Sequence, residues 1–101
     1  GGIGNTTSSS ALVSALTGRD AAEVCGGGAA TTRDGNEEAN VMRKVDIVKR
    51  ALERHGGRDA LRRADPRSTL AKLGGAEIAA AVGAMLEASD RSIAILVDGF
   101  I

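Results

Sequence analysis

Aromatic residues are almost missing from this chain: Phe100 stands alone, with no tryptophan or tyrosine. That argues against base-stacking platforms and aromatic cages as the basis of function. Excess charge is missing too, because 13 basic residues offset 13 acidic ones. A neutral chain offers no electrostatic reason to bind nucleic acid or an anionic membrane surface. A single cysteine, Cys25, cannot form an internal disulfide, and no companion residues complete a metal motif around it. No segment approaches the roughly 20 apolar residues needed to cross a bilayer. The amino terminus has no basic region leading into an apolar core, so no secretion signal is read there. A soluble, cytoplasmic protein in a reducing compartment is the expectation.

What is present is alanine, leucine, valine, isoleucine and 14 glycines, in 101 residues. The length suits one small domain. Alanine-rich helices pack closely, but each alanine buries little surface at ~25 cal/mol per Å². The glycines add entropic cost on folding. Standing alone, such a domain is expected to be marginal.

Along the chain, Gly1-Gly2-Ile3-Gly4 forms a turn into Asn5-Thr6-Thr7-Ser8, where Asn5 and the hydroxyl residues are N-cap candidates. Ala11, Leu12, Ala15 and Leu16 recur at helical spacing, and Gly18 is placed to stop that helix. Asp20 with Glu23 resembles a capping box for a short second helix. Residues 26–35 read as a glycine-rich loop. The longest helix is expected from Glu37 to His55, with Val41, Val45, Val48 and Leu52 on one face, Met42 at one border, and Ile47 and Ala51 at the other. Gly56-Gly57 ends it. Asp65-Pro66 opens another helix containing Leu70 and Leu73. After Gly74-Gly75 comes a helix over Glu77–Ala88 carrying Ile78, Val82, Met85 and Leu86. The final run, Ile93-Ala94-Ile95-Leu96-Val97, is continuously apolar and rich in β-branched residues. It predicts a strand buried on both faces of a parallel sheet, whose partner strands must come from outside these residues.

Several positions could carry chemistry, each beside a plainer reading. In Gly2-Ile3-Gly4-Asn5-Thr6-Thr7, glycine amides and a helix start can cradle an anion, or simply cap a helix after a turn. Neither a Walker loop nor a complete dinucleotide fingerprint is present. Lys44 lies at the border of the apolar face of its helix, where it reaches a cleft or merely snorkels. Gly74-Gly75-Ala76-Glu77 is a second possible cradle or ordinary punctuation, with Glu77 a base or a dipole partner. Asp98 follows the predicted strand at its carboxyl end, where ligands bind in open α/β sheets, yet Asp98-Gly99 also suits a turn. His55 sits at a helix end, and neither it nor Cys25 has a catalytic companion in the sequence.

Taken in order, these segments resemble the nicotinate-nucleotide–dimethylbenzimidazole phosphoribosyltransferases. The family stretch Glu-Met-Gly-Ile-Gly-Asn-Thr-Thr is matched from Gly2 to Thr7. An Arg-Lys-hydrophobic helix is matched by Arg43-Lys44-Val45 and continues to Ala51-Leu52. Asp65-Pro66, Leu73-Gly74-Gly75, Glu77-Ile78-Ala79-Ala80 and Gly83-Ala84-Met85-Leu86 follow in the family order. Leu96-Val97-Asp98-Gly99-Phe100-Ile101 is similar to the family strand ending in Asp-Gly-Phe-Ile. The chain departs from the pattern in three places: Gly26-Gly27-Gly28-Ala29-Ala30 replaces Gly-Arg-Gly-Thr-Gly, the loop from there to Lys44 is longer, and Ala76 replaces an aromatic residue.

The resemblance implies an α/β fold, with residues 1–101 forming a single partial domain. That domain would be a helix-rich fragment from the centre of a parallel-sheet, Rossmann-like large domain, with one clear buried strand at its C-terminus. It implies transfer of the phosphoribosyl group of nicotinate mononucleotide to 5,6-dimethylbenzimidazole in cobalamin lower-ligand synthesis, with no cofactor and no metal. Gly2, Gly4, Asn5, Thr6, Gly28, Lys44 and Gly74 would meet the phosphate side of the substrate, with Glu77 and Asp98 as additional candidates. No catalytic residue is assigned within the chain, because the family's general base is a glutamate further downstream. Its role is worth on the order of 10²–10⁴ in rate. The expectation is a chain that supplies phosphate contacts, is not active alone, and works as a homodimer or with a complementing chain. The alternatives are a non-catalytic nucleotide-binding or interaction module derived from that fold, and a small helical domain without ligand.

Overall fold

A computed structural model describes residues 3–26, 36–99 and 101. Its elements are helices: α1 (Asn5–Thr17), α2 (Ala21–Val24), α3 (Glu37–Arg54), α4 (Arg58–Arg63), α5 (Pro66–Leu73) and α6 (Ala76–Asp90). The hub is α1, which packs against α2, α3, α4 and α5.

Small residues let α1 take that place. Its covered side is Ser10, Ala11, Leu12, Ser14 and Ala15, so neighbouring backbones approach closely. Leu16, expected on that side, is 46% exposed instead. The two serines resolve their own burial cost. Ser10 Oγ donates to Val24 O at 2.9 Å, and Ser14 Oγ donates to Arg19 O at 2.7 Å. Buried hydroxyls without such partners would be destabilising by about 1–3 kcal/mol each.

Against α1 sit Val48 and Leu52 of α3, Leu61 of α4 and Leu73 of α5, with Val45, Ala51 and Leu70 partly covered at the edge. The apolar stripe of α3 is therefore real but narrower than its sequence suggests. Met42 and Ile47 at its borders face solvent. Thr69 is fully buried and donates from Oγ1 to Leu61 O at 3.3 Å, tying α5 to α4.

Helix ends follow local chemistry closely. Gly18 has φ 76° and donates its N–H to Ser14 O, closing α1. Gly56 and Gly57, with φ of 99° and 93°, donate to Glu53 O and Leu52 O. That is a Schellman termination, and the left-handed backbone there favours glycine. Asp20 Oδ1 accepts from Ala22 N at 2.9 Å to cap α2. Pro66 occupies the first turn of α5, with Asp65 as its N-cap residue but without a side-chain cap bond. At α1 the N-cap is Gly4 at φ 82°, and Asn5 is the first helical residue rather than the cap.

The predicted parallel-sheet strand is overturned. Among the described residues there is no strand, and Ile93–Val97 runs without regular structure after α6. Leu96 is 99% exposed and Val97 72%. The α/β, Rossmann-like assignment thus gives way to an all-helical architecture for the described residues. The physical reason is the ladder: a strand needs neighbours to bond its N–H and C=O groups, and β-branched composition cannot supply them. The outer helix α6 likewise buries none of its residues, although Ile78 packs partly on the core.

Candidate functional site

The best-defined polar constellation lies where α1 begins. Gly4 turns the chain through a left-handed conformation into Asn5-Thr6-Thr7, and Thr7 N donates to Gly4 O at a long 3.4 Å. The first amides of a helix have no intrahelical acceptor, so the Asn5 and Thr6 N–H groups look outward from a positive helix end. Among the described residues, nothing lies within 4 Å of where a Gly4 side chain would begin.

From α3, Lys44 reaches across to this turn. Its ammonium donates to Thr6 Oγ1 at 2.9 Å and to Gly26 O at 3.0 Å. Lys44 is half-buried, which matches its place at the border of the α3 apolar stripe. An ammonium has three N–H donors, and among the described residues two of them are bonded. Among the described residues no carboxylate pairs with it; the ion pairs found join Arg58 to Asp20 and Arg91 to Glu87. A cation held beside outward-facing amides and a hydroxyl suits an anion with several acceptor oxygens. One turn further along α1, Ser9 Oγ is buried with no partner among the described residues.

The other candidates fall elsewhere. Gly74 closes α5, donating its N–H to Leu70 O at 2.8 Å. A Cβ on Gly74 would stand 2.6 Å from Leu70 Cδ1, 2.7 Å from Leu70 O and 3.4 Å from Leu12 Cδ1. Its surroundings are packed backbone and leucine. Leu12 lies six residues past Thr6, about 9 Å along the axis of α1 at 1.5 Å per residue. The Glu77 carboxylate folds back over Gly75, at the positive end of α6, as a dipole partner does. Asp98 is exposed in the segment after α6. Gly2 and Gly28 lie outside the described residues.

A hollow of about 350 Å³ forms elsewhere, lined by Ser14, Asp20, Lys49, Glu53, Arg58 and Asp59 among others. Charges of both signs line it, so no field of one sign favours an anion there. Among the described residues no group of three or more His, Cys, Asp or Glu side chains could hold a metal ion. Nor is any helix of theirs long and apolar enough to cross a membrane.

Two features of the site were beyond sequence reading. The Gly26 carbonyl, which helps fix Lys44, belongs to a glycine-rich stretch with no periodicity to signal its position. Ser9 looked like one hydroxyl in a run of Ser8-Ser9-Ser10.

Comparison with known proteins bears on what this geometry serves. The chain is similar to the nicotinate-nucleotide–dimethylbenzimidazole phosphoribosyltransferase of Roseiflexus sp., with 45% identity over 103 residues, 99% of this chain and 26% of that protein. The enzyme of the same name from Pseudomonas putida is also 45% identical, over 100 residues, and that from Photobacterium profundum 43%. No solved structure matches. The chain spans about a quarter of the length of these relatives. A family model described as phosphoribosyltransferase matches residues 1–101. With that match running the whole length of the chain, the chain belongs to the phosphoribosyltransferase family of the nicotinate-nucleotide–dimethylbenzimidazole enzymes.

Proposed function

We propose that these residues hold the phosphate end of nicotinate mononucleotide in a protein that transfers its phosphoribosyl group to 5,6-dimethylbenzimidazole. The observation that carries this reading is the Lys44 Nζ to Thr6 Oγ1 hydrogen bond, 2.9 Å long and joining positions 38 residues apart. It puts an ammonium beside the outward amides of α1, where a doubly charged phosphate gains charge-assisted hydrogen bonds. In this reading Gly2, Gly4, Asn5 and Thr6 shape the cradle and Lys44 supplies its charge. Gly28 and Gly74 stand as further phosphate-side candidates, with Glu77 and Asp98 as additional ones.

In the reaction, the bond from ribose C1′ to the nicotinate nitrogen breaks and its electron pair leaves with nicotinate. The benzimidazole nitrogen that carries no hydrogen bonds to C1′ with its lone pair, and the other ring nitrogen loses its proton to a base, giving α-ribazole 5′-phosphate. The cradle and Lys44 serve as the anchor. With the phosphate fixed, the ribose is held in register with its acceptor, and entropy is lost on binding rather than at the barrier. The activity is that of the whole protein, working as a homodimer or with a complementing chain in the cytoplasm, without metal or cofactor at this end of the substrate.

Calorimetry of the whole protein with nicotinate mononucleotide, and separately with nicotinate, tests the reading. Lys44→Ala is expected to weaken mononucleotide binding by about tenfold or more, as for a charge-assisted bond of roughly 1.5–3 kcal/mol, and to leave nicotinate binding nearly unchanged. Equal losses for both ligands would make Lys44 a structural residue and remove the basis of the proposal.

A further inference from the structure

We infer that Thr6 is a positioning residue for Lys44: its side-chain oxygen holds the lysine ammonium in place for the anion, working with the Gly26 carbonyl. The inference rests on the phosphate reading of Lys44 and assigns a different role to the threonine beside it. A lysine has a flexible four-carbon stem and about 2 kcal/mol of rotamer entropy to lose when its end is fixed. Here that end is held by acceptors from two separate segments, Thr6 Oγ1 at the start of α1 and Gly26 O after α2. Two bonds from different directions leave the third N–H little freedom, so its direction is set before any anion arrives.

Threonine suits this role because a β-branched side chain has restricted χ1 freedom and presents its oxygen from a narrow range of positions. In this role the hydroxyl acts on the anion only through the ammonium it holds. Neither neighbour in sequence shares this contact: among the described residues, Asn5 and Thr7 make no side-chain bond to Lys44, and the lysine spans from α3 to reach Thr6.

A double-mutant cycle on the whole protein tests this, reading nicotinate mononucleotide affinity and thermal melting for Thr6→Val, Thr6→Ser, Lys44→Ala and Thr6→Val with Lys44→Ala. Thr6→Val is expected to weaken binding by about three- to tenfold, the effect of one lost hydrogen bond. Thr6→Ser should restore most of that loss. In the Lys44→Ala background, Thr6→Val should cost nothing more, because there is no ammonium left to position. Equal losses from Thr6→Val with and without Lys44 would show a direct and independent role for the hydroxyl and overturn the inference. So would unchanged binding in Thr6→Val, or a Thr6→Ser variant as weak as Thr6→Val at unchanged melting temperature. If Lys44→Ala alone leaves mononucleotide affinity intact, the phosphate reading itself fails, and that outcome is separate from the others.

Discussion

Replacing Gly74 with alanine distinguishes packing from anion contact at a position where sequence allowed both. The backbone itself tolerates alanine, since φ is −85° and ψ is −177°. Space does not. The new methyl would stand 2.7 Å from Leu70 O and 2.6 Å from Leu70 Cδ1. A leucine tip can rotate, but Leu70 O is main chain and is the acceptor of the Gly74 N–H at 2.8 Å. Relief therefore requires the end of α5 to open, taking with it the contact at Leu12 on α1. Overpacking of this kind is destabilising by about 1–3 kcal/mol. At about 4–8 °C per kcal/mol for a domain of 60–100 residues, Gly74→Ala should lower the melting temperature by on the order of 5–20 °C. Circular dichroism at 222 nm during heating of the 101-residue chain reads this directly. An unchanged melt, together with weakened nicotinate mononucleotide binding by the whole protein, would refute the packing argument and return Gly74 to the phosphate.

Two further substitutions examine the architecture. Leu61→Ala empties a site that is 1% exposed in the core where α4 packs on α1, and should be destabilising by about 2–5 kcal/mol in chemical denaturation; a loss below about 1 kcal/mol would mean that α4 is not part of the core. Leu96→Ser, at a residue 99% exposed, should leave the stability of the 101-residue chain within about 0.5 kcal/mol, whereas a loss of several kcal/mol would restore a buried strand there.

Much of the helical order was legible because its signals are local. Gly18, Gly56-Gly57, Asp20 and Pro66 all mark helix ends by chemistry that acts within one turn. The α3 stripe was legible through Val48 and Leu52, while Met42 and Ile47 show that periodicity ranks a face without saying how much of it is covered. The short helix α4 escaped notice, because six residues with Ala60 and Leu61 as their apolar pair hold no period. Ile93–Val97 misled for the opposite reason: its composition describes a strand, but pairing depends on neighbours that a local run cannot reveal. Lys44 and Thr6 were each legible as candidates. That they touch was not, since 38 residues of chain separate them and only the packing of α1 on α3 brings them together.

The serine bonds of α1 bear on how accurately the turn at its start can be aimed. An apolar face slides over its neighbours at little cost, because dispersion has no preferred direction. Ser10 and Ser14 instead lock to single carbonyls, Val24 O and Arg19 O, four residues apart on one side of the helix. Rotating α1 against α2 breaks the Ser10 bond and strands its hydroxyl away from water, while the Ser14 bond ties the chain just past α1 back onto the same side of the helix. The helix is thereby clocked like a keyed shaft, and the angular bearing of Gly4, Asn5 and Thr6 is inherited from the Ser10 hydroxyl downstream.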